Sequence, residues 1–484
     1  MSDDILETGR NCWRIEPAGR FALIVDAEDY FRCVKDAILQ ARHSVYLIGW
    51  DFDPRIEFEP AGGTIEGPNR VGDFLKWIGR SRPDLGVHVL KWDLGVLPTL
   101  GPGLLAMKML DWTTSKNIQF RLDKARPLGS VLHQKVVVID DALAFCGGID
   151  MTLDRWDTRA HLDNDPRRRE PGGKAYEPWH DATSAVSGPA ARALGDLARA
   201  AWLRATDVDL EPAPPRDALW PRGLKASLED VMIAIARTHP DGEDEDEIRE
   251  IETLYLDCIA QARRTIYFES QYFASRRIAE AMAKRLSEDD GPEIVVINPL
   301  SADGVLEAAV MDTARARLLK LVKAADRHGR FRIYTPVTAG GQPIYVHAKI
   351  SIVDDRLLRV GSSNLNNRSQ GYDTECDIAL EAQVGADRLD GLKRNILGLR
   401  DDLLGEHLGC APALVSEAVR REGSLVRAID SLMGDGRSLQ FYEPDEIGAL
   451  EENLTENELL DPEKPPNGWR GLKALLGLTT RYRR

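Results

Sequence analysis

Two short stretches carry the residue types needed for acid–base and electrostatic chemistry on a phosphoryl group. His133 and Lys135 lead into the apolar run Val136-Val-Val-Ile139, and His347 and Lys349 lead into Ile350-Ser-Ile-Val353. Side chains alternate along a strand, so residues i and i+2 leave by the same face. Each histidine therefore projects beside its lysine. Asp140-Asp141 and Asp354-Asp355 follow as turns, after which the copies end at Gly147-Gly148 and Gly361-Ser362. Two such pairs converging on one spot would suit a phosphodiester. The lysines would neutralise its non-bridging oxygens, one imidazole could attack phosphorus, and the other could protonate the leaving alcohol.

The elements that must position these groups are themselves repeated. Ala37-Ile-Leu-Gln-Ala-Arg-His-Ser-Val-Tyr-Leu-Ile-Gly-Trp50 has a counterpart in Cys258-Ile-Ala-Gln-Ala-Arg-Arg-Thr-Ile-Tyr-Phe-Glu-Ser-Gln271, and the His–Lys stretches form a second matched pair. Each copy predicts helices alternating with apolar strands. In the first these are helix 29–41, strand 44–52, helix 71–80, strand 87–93 and helix 104–115, with strands near Ile118, His133 and Leu143. The second repeats this with helix 248–262, strand 265–273, helix 276–286, strand 293–298, helix 308–328, and strands near Phe331, Tyr345 and Leu357. That alternation predicts an α/β fold of two α/β/α sandwich halves. A pseudo-twofold axis between the halves would place a shared site at their interface. The expected division is 20–210 and 251–410 for the halves, 211–250 for a linker and acidic loop, and 411–484 for a C-terminal extension. Asp140 and Asp354 sit at turns and are read as structural, together with Gly147, Gly148, Gly361 and Ser362.

Composition bounds the partners. At 484 residues the chain is too long for one ordinary core. With 43% hydrophobic and 29% charged residues, it is neither disordered nor polytopic. The net charge of −15 argues against coating nucleic acid or anionic lipid. Most of that charge is concentrated in 241–250 and 443–464, which leaves the two copies near neutrality. Six scattered cysteines form no C-x-x-C pair and read as free thiols of a reducing compartment. No cleavable signal or membrane-spanning run is visible, which predicts a cytoplasmic or peripheral membrane location. The run 94–110 is a candidate apolar lip and the basic, leucine-rich 470–484 a candidate interfacial helix; a packed loop and a packed helix are the plainer readings. No histidine spacing marks a metal site, and the 241–250 run lacks an EF-hand's glycine and spacing. His180 is read as a satisfied, partly buried histidine, and the tryptophans, concentrated before residue 221, chiefly as core.

The repeated His-x-Lys-x4-Asp-x6-Gly-Gly/Ser pattern resembles the paired HKD motif of the phospholipase D superfamily, with bacterial phospholipase D-like proteins as the nearest likeness. The resemblance extends to Gly147-Gly-Ile-Asp150 ahead of Arg155-Trp-Asp157, Pro178-Trp-His-Asp181, Tyr267-Phe-Glu-Ser-Gln-Tyr-Phe273 and Gly361-Ser-Ser-Asn364, over roughly residues 20–400. It implies a covalent phosphohistidine on His133, with His347 as the general acid that later activates water or an alcohol. The near symmetry of the copies leaves the reverse order open. Lys135, Lys349 and Asn364 would hold phosphoryl oxygens. Asp150 stands where the second copy has Asn364, and an ionised carboxylate cannot donate to phosphate. That asymmetry resembles the phospholipase D branch more than cardiolipin synthases. Asp181 and Glu375 look like the carboxylates that orient the histidines, although sequence does not say which serves which.

The resemblance implies hydrolysis of a glycerophospholipid to phosphatidic acid and a free alcohol, with possible transphosphatidylation. The expected partners are a phospholipid substrate, a transient membrane surface, and a water or alcohol acceptor, for a monomer without nucleic acid. No cofactor is required on this reading, although stimulation by calcium stays open. Alternatives are a cardiolipin synthase-like phosphatidyltransferase, a nuclease or other phosphodiesterase of the same superfamily, and a lipid-headgroup-binding protein without turnover.

Overall fold

In the computed structural model the element order of the first copy is repeated by the second. The structure describes residues 4–92, 117–123, 129–217, 219–241, 246–382, 389–443 and 461. The first half runs β1 (Arg14–Val25), α1 (Ala27–Gln40), β2 (Ser44–Gly49), α2 (Val71–Ser81), β3 (Gly86–Trp92), β4 (Ile118–Asp123), β5 (Val136–Ile139), β6 (Leu143–Gly147), β7 (Trp179–His180), β8 (Ala182–Ser187) and α3 (Pro189–Thr206). The second runs β9 (Leu228–His239), β10 (Ile248–Arg249), α4 (Glu250–Gln261), β11 (Thr265–Glu269), α5 (Arg276–Leu286), β12 (Glu293–Ile297), α6 (Val305–Ala325) and β13 (Phe331–Val337). It continues through β14 (Tyr345–Val346), β15 (Ile350–Val353), β16 (Leu357–Gly361), α7 (Asn367–Gly371), β17 (Glu375–Glu381) and α8 (Leu389–His407). After it come α9 (Pro412–Glu422), α10 (Leu425–Leu432) and β18 (Ser438–Phe441).

The two halves share one sheet of the order β18-β13-β12-β11-β15-β16-β17-β9-β1-β8-β6-β5-β2-β3-β4, with β10 beside β9. Read outward from the β9–β1 junction, both arms show the same sequence of pairings, which is the pseudo-twofold relation expected from the repeats. The junction is an antiparallel ladder that sets Ala18 opposite Val231 and Ile15 opposite Ala234. Within this sheet, parallel pairing among the described strands is confined to β2–β3–β4 and β11–β12–β13; α2 makes the crossover from β2 to β3, α5 that from β11 to β12 and α6 that from β12 to β13.

The strands are apolar on both faces because both faces are covered. Val45, Leu47, Val137 and Ile139 pack in one layer with residues of α1 and α2. Tyr46, Ile48, Val136 and Val138 point the other way, into a layer with α3 that continues through Tyr267 and Val295 to α8 and α10. Ile266, Phe268, Ile294 and Val296 bury their faces against α4 and α5. Each such side chain contributes about 1.5–3 kcal/mol by leaving water.

Two parts of the expected division differ from this architecture. The stretch 211–250, expected as a linker and acidic loop, contains β9 at the centre of the sheet. Its apolar alternation through Val231, Ile233 and Ile235 lies between a proline cluster and an acidic run, and those flanks hid it. The extension after residue 410 supplies β18, which pairs antiparallel with β13 and covers that edge. Strands expected over 44–52 and 265–273 end at Gly49 and Glu269, where the chain leaves the sheet for the site. The expected helix 104–115, the candidate lip 94–110 and the candidate tail helix 470–484 lie outside the described residues. Among those described, no helix is long and apolar enough to cross a membrane.

Candidate active site

Each motif histidine is anchored by the half of the molecule it does not belong to. His133 donates its backbone N–H to Thr374 at 3.0 Å, and His347 donates its own to the carbonyl of His180 at 2.7 Å. The second contact belongs to a two-stranded parallel ladder between β7 and β14, separate from the main sheet. The side chains follow the same exchange. His133 Nδ1 lies 2.9 Å from both carboxylate oxygens of Glu375, and His347 Nδ1 lies 2.6 Å from Asp181 Oδ2. The question sequence left open is answered by crossing: Glu375 serves His133 and Asp181 serves His347. An Nδ1–H donated to a carboxylate leaves the Nε2 lone pair free for a substrate.

The lysines lie below the histidines. Lys135 donates to the His133 carbonyl at 2.8 Å and sits 3.1 Å from Asp150 Oδ2, and Lys349 donates to the His347 carbonyl. Burial, reinforced by Lys135 and Lys349, holds both imidazoles well below their ordinary proton affinity, so both are neutral without substrate. That each lysine acts on each histidine shows the two motifs sharing one site. Burial and then Lys135 also draw Lys349 down to about 7, against the pull of Asp181. Burial pushes Glu375 up to about 8, although Lys135 and the Ser362 and Ser369 hydroxyls pull it down.

The two motifs differ around their carboxylates. Gly148 leaves room for Asp181, since a Cβ there would lie 2.3 Å from Asp181 Oδ1. At the matching position Ser362 uses its hydroxyl to donate to Glu375. Gly147 and Gly361 run so close to β8 and β17 that a Cβ would lie 2.3 Å from the Thr183 Cα and 2.5 Å from the Asp377 Cα. Asp150 accepts the Trp50 N–H at 3.0 Å and offers its other oxygen to Lys135. Asn364 instead turns its amide toward Gln271 Oε1 at 3.4 Å, leaving its own Oδ1 buried without a protein partner. Lys135 is thus partly neutralised by a neighbouring acid, whereas the matching position of the second motif carries a neutral amide.

Asp140 and Asp354 face away from this chemistry. Asp140 accepts the N–H groups of Arg42, His43 and Ser44 at 2.7–2.9 Å, fixing the start of β2. Asp354 does the same for Arg263, Arg264 and Thr265 at the start of β11. The wall over His347 is aromatic: Trp179 lies 5.2 Å from its ring and stacks on Tyr345 at 4.5 Å, with the Arg155 guanidinium 4.2 Å above Trp179.

Comparison with known proteins agrees with this geometry. Residues 255–392 match the family described as "Cardiolipin synthase, PLD-like domain", and residues 334–454 match "Phospholipase D". The chain is 24% identical over 464 residues to Phospholipase D A of Dictyostelium discoideum, covering 81% of this chain and 36% of that protein. It is 25% identical over 527 residues to Phospholipase D alpha 1 of Vigna unguiculata, covering 79% of this chain and 63% of that protein. The chain belongs to the phospholipase D superfamily. It spans less than two thirds of either relative. A crystal structure of phosphatidylserine synthase from Haemophilus influenzae Rd KW20 shares the fold, with a TM-score of 0.55, 13% identity, and coverage of 90% of this chain and 92% of that one.

Within this phospholipase D fold, sequence reasoning missed several groups. Ser369 donates to Glu375 from α7 and carries no motif signal. Beneath the dyads, Asp26, His161, His180, Glu269, Glu406 and His407 form a buried cluster drawn from both halves. Ligating atoms of Asp26, His161, His180 and Glu406 lie within 4.8 Å of one another, yet the ring nitrogens directed at this group already face carboxylate oxygens. His180 is wholly buried rather than partly so. Chain spacing could not reveal the cluster, because its members come from five separate segments.

Proposed function

We propose that the protein is a phospholipase D-type phosphodiesterase acting on the headgroup side of glycerophospholipids. The observation that carries this reading is the crossed pair of histidine–carboxylate dyads with two buried lysines between them. His133 Nε2 attacks phosphorus, the P–O bond to the headgroup breaks, and His347 gives its Nε2 proton to the departing alkoxide. Lys135, Lys349 and Asn364 hold the phosphoryl oxygens. The phosphodiester's negative charge raises the proton affinity of imidazoles that the lysines otherwise keep neutral. Water or an alcohol, deprotonated by His347, then opens the phosphohistidine to phosphatidic acid or a transferred phosphatidyl group. Asp181 and Glu375 fix the tautomers. On this reading Asp140, Asp354 and the motif glycines act by shaping the strands, and no resident cofactor takes part.

A transferase reading has specific support in the family described as a cardiolipin synthase domain and in the fold shared with a phosphatidylserine synthase. Hydrolysis and transfer diverge only at the acceptor, so one experiment separates them. Vesicles of phosphatidylcholine, phosphatidylethanolamine or phosphatidylglycerol are incubated with and without ethanol, each with and without calcium. Release of headgroup with phosphatidic acid, diverted to phosphatidylethanol by ethanol, is expected. Reaction of phosphatidylglycerol pairs alone, or of DNA alone, would sink the hydrolase reading.

A further inference from the structure

His180 precedes Asp181 directly, and its ring is gripped by carboxylates of both halves. Nδ1 lies 3.0 Å from Glu406 Oε1 and 3.4 Å from Asp26 Oδ1, and Nε2 lies 2.8 Å from Glu269 Oε2. Ionised carboxylate oxygens only accept, so satisfying both contacts takes a proton on each ring nitrogen. The same residue reaches the reacting histidine by two routes. Its carbonyl receives the His347 N–H, and Asp26, against its ring, accepts the backbone N–H of Asp181 at 3.1 Å and donates its own to the Asp181 carbonyl at 2.8 Å.

We propose that His180 is a positioning residue, a buried imidazolium clamped between Glu269 and Glu406 that keeps Asp181 ionised and aligned on His347. The charges around it agree. Arg159 donates to Glu406, Tyr267 and His407 donate to Glu269, and the His161 and His407 rings stand edge-on at 5.8 and 4.6 Å. Arg437 reaches Glu406 at 3.7 Å, and Lys349 and Arg155 act on Asp181 from the opposite side. Burial opposes a charged ring, but Glu269, Asp26 and Glu406 overcome it and raise His180 well above its ordinary value. Asp181 is itself pushed up by burial, with Lys349, the Ala182 N–H, Arg155 and His180 pulling it back.

The two dyads therefore support their carboxylates by different means. Glu375 has two serine hydroxyls; Asp181 has one backbone N–H and, behind it, this imidazolium. A divalent cation in place of the protons on His161 and His180 would leave the same net charge. Metal content therefore has to be read directly.

The kinetic arm of the test rests on the proposed reaction, while the spectroscopic arm does not. Whole chain labelled with 15N-histidine is expected to show two rings with both nitrogens protonated from pH 5.5 to 8.5, His180 and His161, whose nitrogens also face carboxylates at 2.9 and 3.1 Å; His180→Gln should remove one of the two signals and thereby assign it. In turnover, His180→Gln is expected to lower kcat about tenfold with KM little changed, and to move the acid limb of kcat upward by about one pH unit as Asp181 loses its cation. Glu269→Gln should do the same to a smaller degree. Titration below pH 8 of the ring whose signal His180→Gln removes, a stoichiometric divalent metal in protein purified without chelator, or a folded His180→Gln with an unmoved acid limb would each overturn the proposal. If the wild type releases no headgroup from any lipid, the functional reading fails, and the ring protonation still decides the state of His180.

Discussion

Glu375 and His133 belong to different halves and meet at 2.9 Å, so neither repeat contains a working dyad of its own. Asp181 and His347 form the reciprocal pair at 2.6 Å. An arrangement in which each half completes the other makes the interface the site. It also lets the functional order of the two histidines be tested one at a time.

Trapping comes first. Acid-quenched protein incubated with phosphatidyl-labelled lipid is expected to carry label on His133. His133→Ala should lose the label and His347→Ala should keep it, while both lose about 10³-fold or more in turnover. Label that survives His133→Ala and vanishes in His347→Ala would reverse the order.

Glu375→Gln should leave the fold intact and free His133 to take the wrong tautomer. Turnover is then expected to fall about 10²–10⁴-fold, the range seen for loss of positioned acid–base groups, with little change in KM. An unaffected kcat would mean that the Ser362 and Ser369 hydroxyls, rather than the dyad, determine the state of His133.

The dependence on pH follows from Lys349, which burial draws down to about 7. In the proposed reaction its charged form is the one that holds phosphate, and a cation with a depressed value loses its proton as pH rises through that value. kcat/KM should therefore fall above about pH 7. A bound phosphodiester restores the proton, so the alkaline limb of kcat should lie higher. Lys349→Arg, which stays charged throughout, is expected to remove this limb while lowering the maximum rate. Matching alkaline limbs in wild type and Lys349→Arg would assign the fall to another group.

Gly148→Ala and Gly147→Ala separate position from packing. The first places a Cβ 2.3 Å from Asp181 Oδ1 and should depress kcat by displacing that carboxylate. The second meets the backbone of β8, again at 2.3 Å, and should cost about 1–3 kcal/mol of stability as overpacking does. Thermal melts beside turnover tell the two apart; equal losses of stability in both would contradict the assignment for Gly148.

Asp140→Ala should cost about 1.5–3 kcal/mol, the scale of hydrogen bonds to a charged group. Three backbone N–H groups at the start of β2 lose their acceptor. Activity per folded molecule should stay near wild type, since nothing in the contacts of Asp140 reaches the histidines. A loss of kcat without a loss of melting temperature would move Asp140 into the chemistry.

The legible part of this structure is what local pattern encodes. The His–Lys pairs, the buried strands behind them and the turns at Asp140 and Asp354 each follow from residues a few positions apart. What was not legible lies across the halves. Nothing near Glu375 points to His133, and nothing in the spacing of His161, His180 and His407 shows that Glu269 and Glu406 lie between them. β9 was obscured for a different reason: its alternation was readable, but proline and acidic flanks outweighed it.

The β1–β9 ladder has a kinetic consequence for the molecule as a whole. Because the two halves are fused through consecutive hydrogen-bonded residues in one chain, bringing the dyads together is an intramolecular event. Such a site withstands dilution, and its occupancy depends on substrate concentration rather than on that of the protein. A chain cut between residues 206 and 228 would turn the same assembly into an encounter between two fragments, with activity that rises with their concentration.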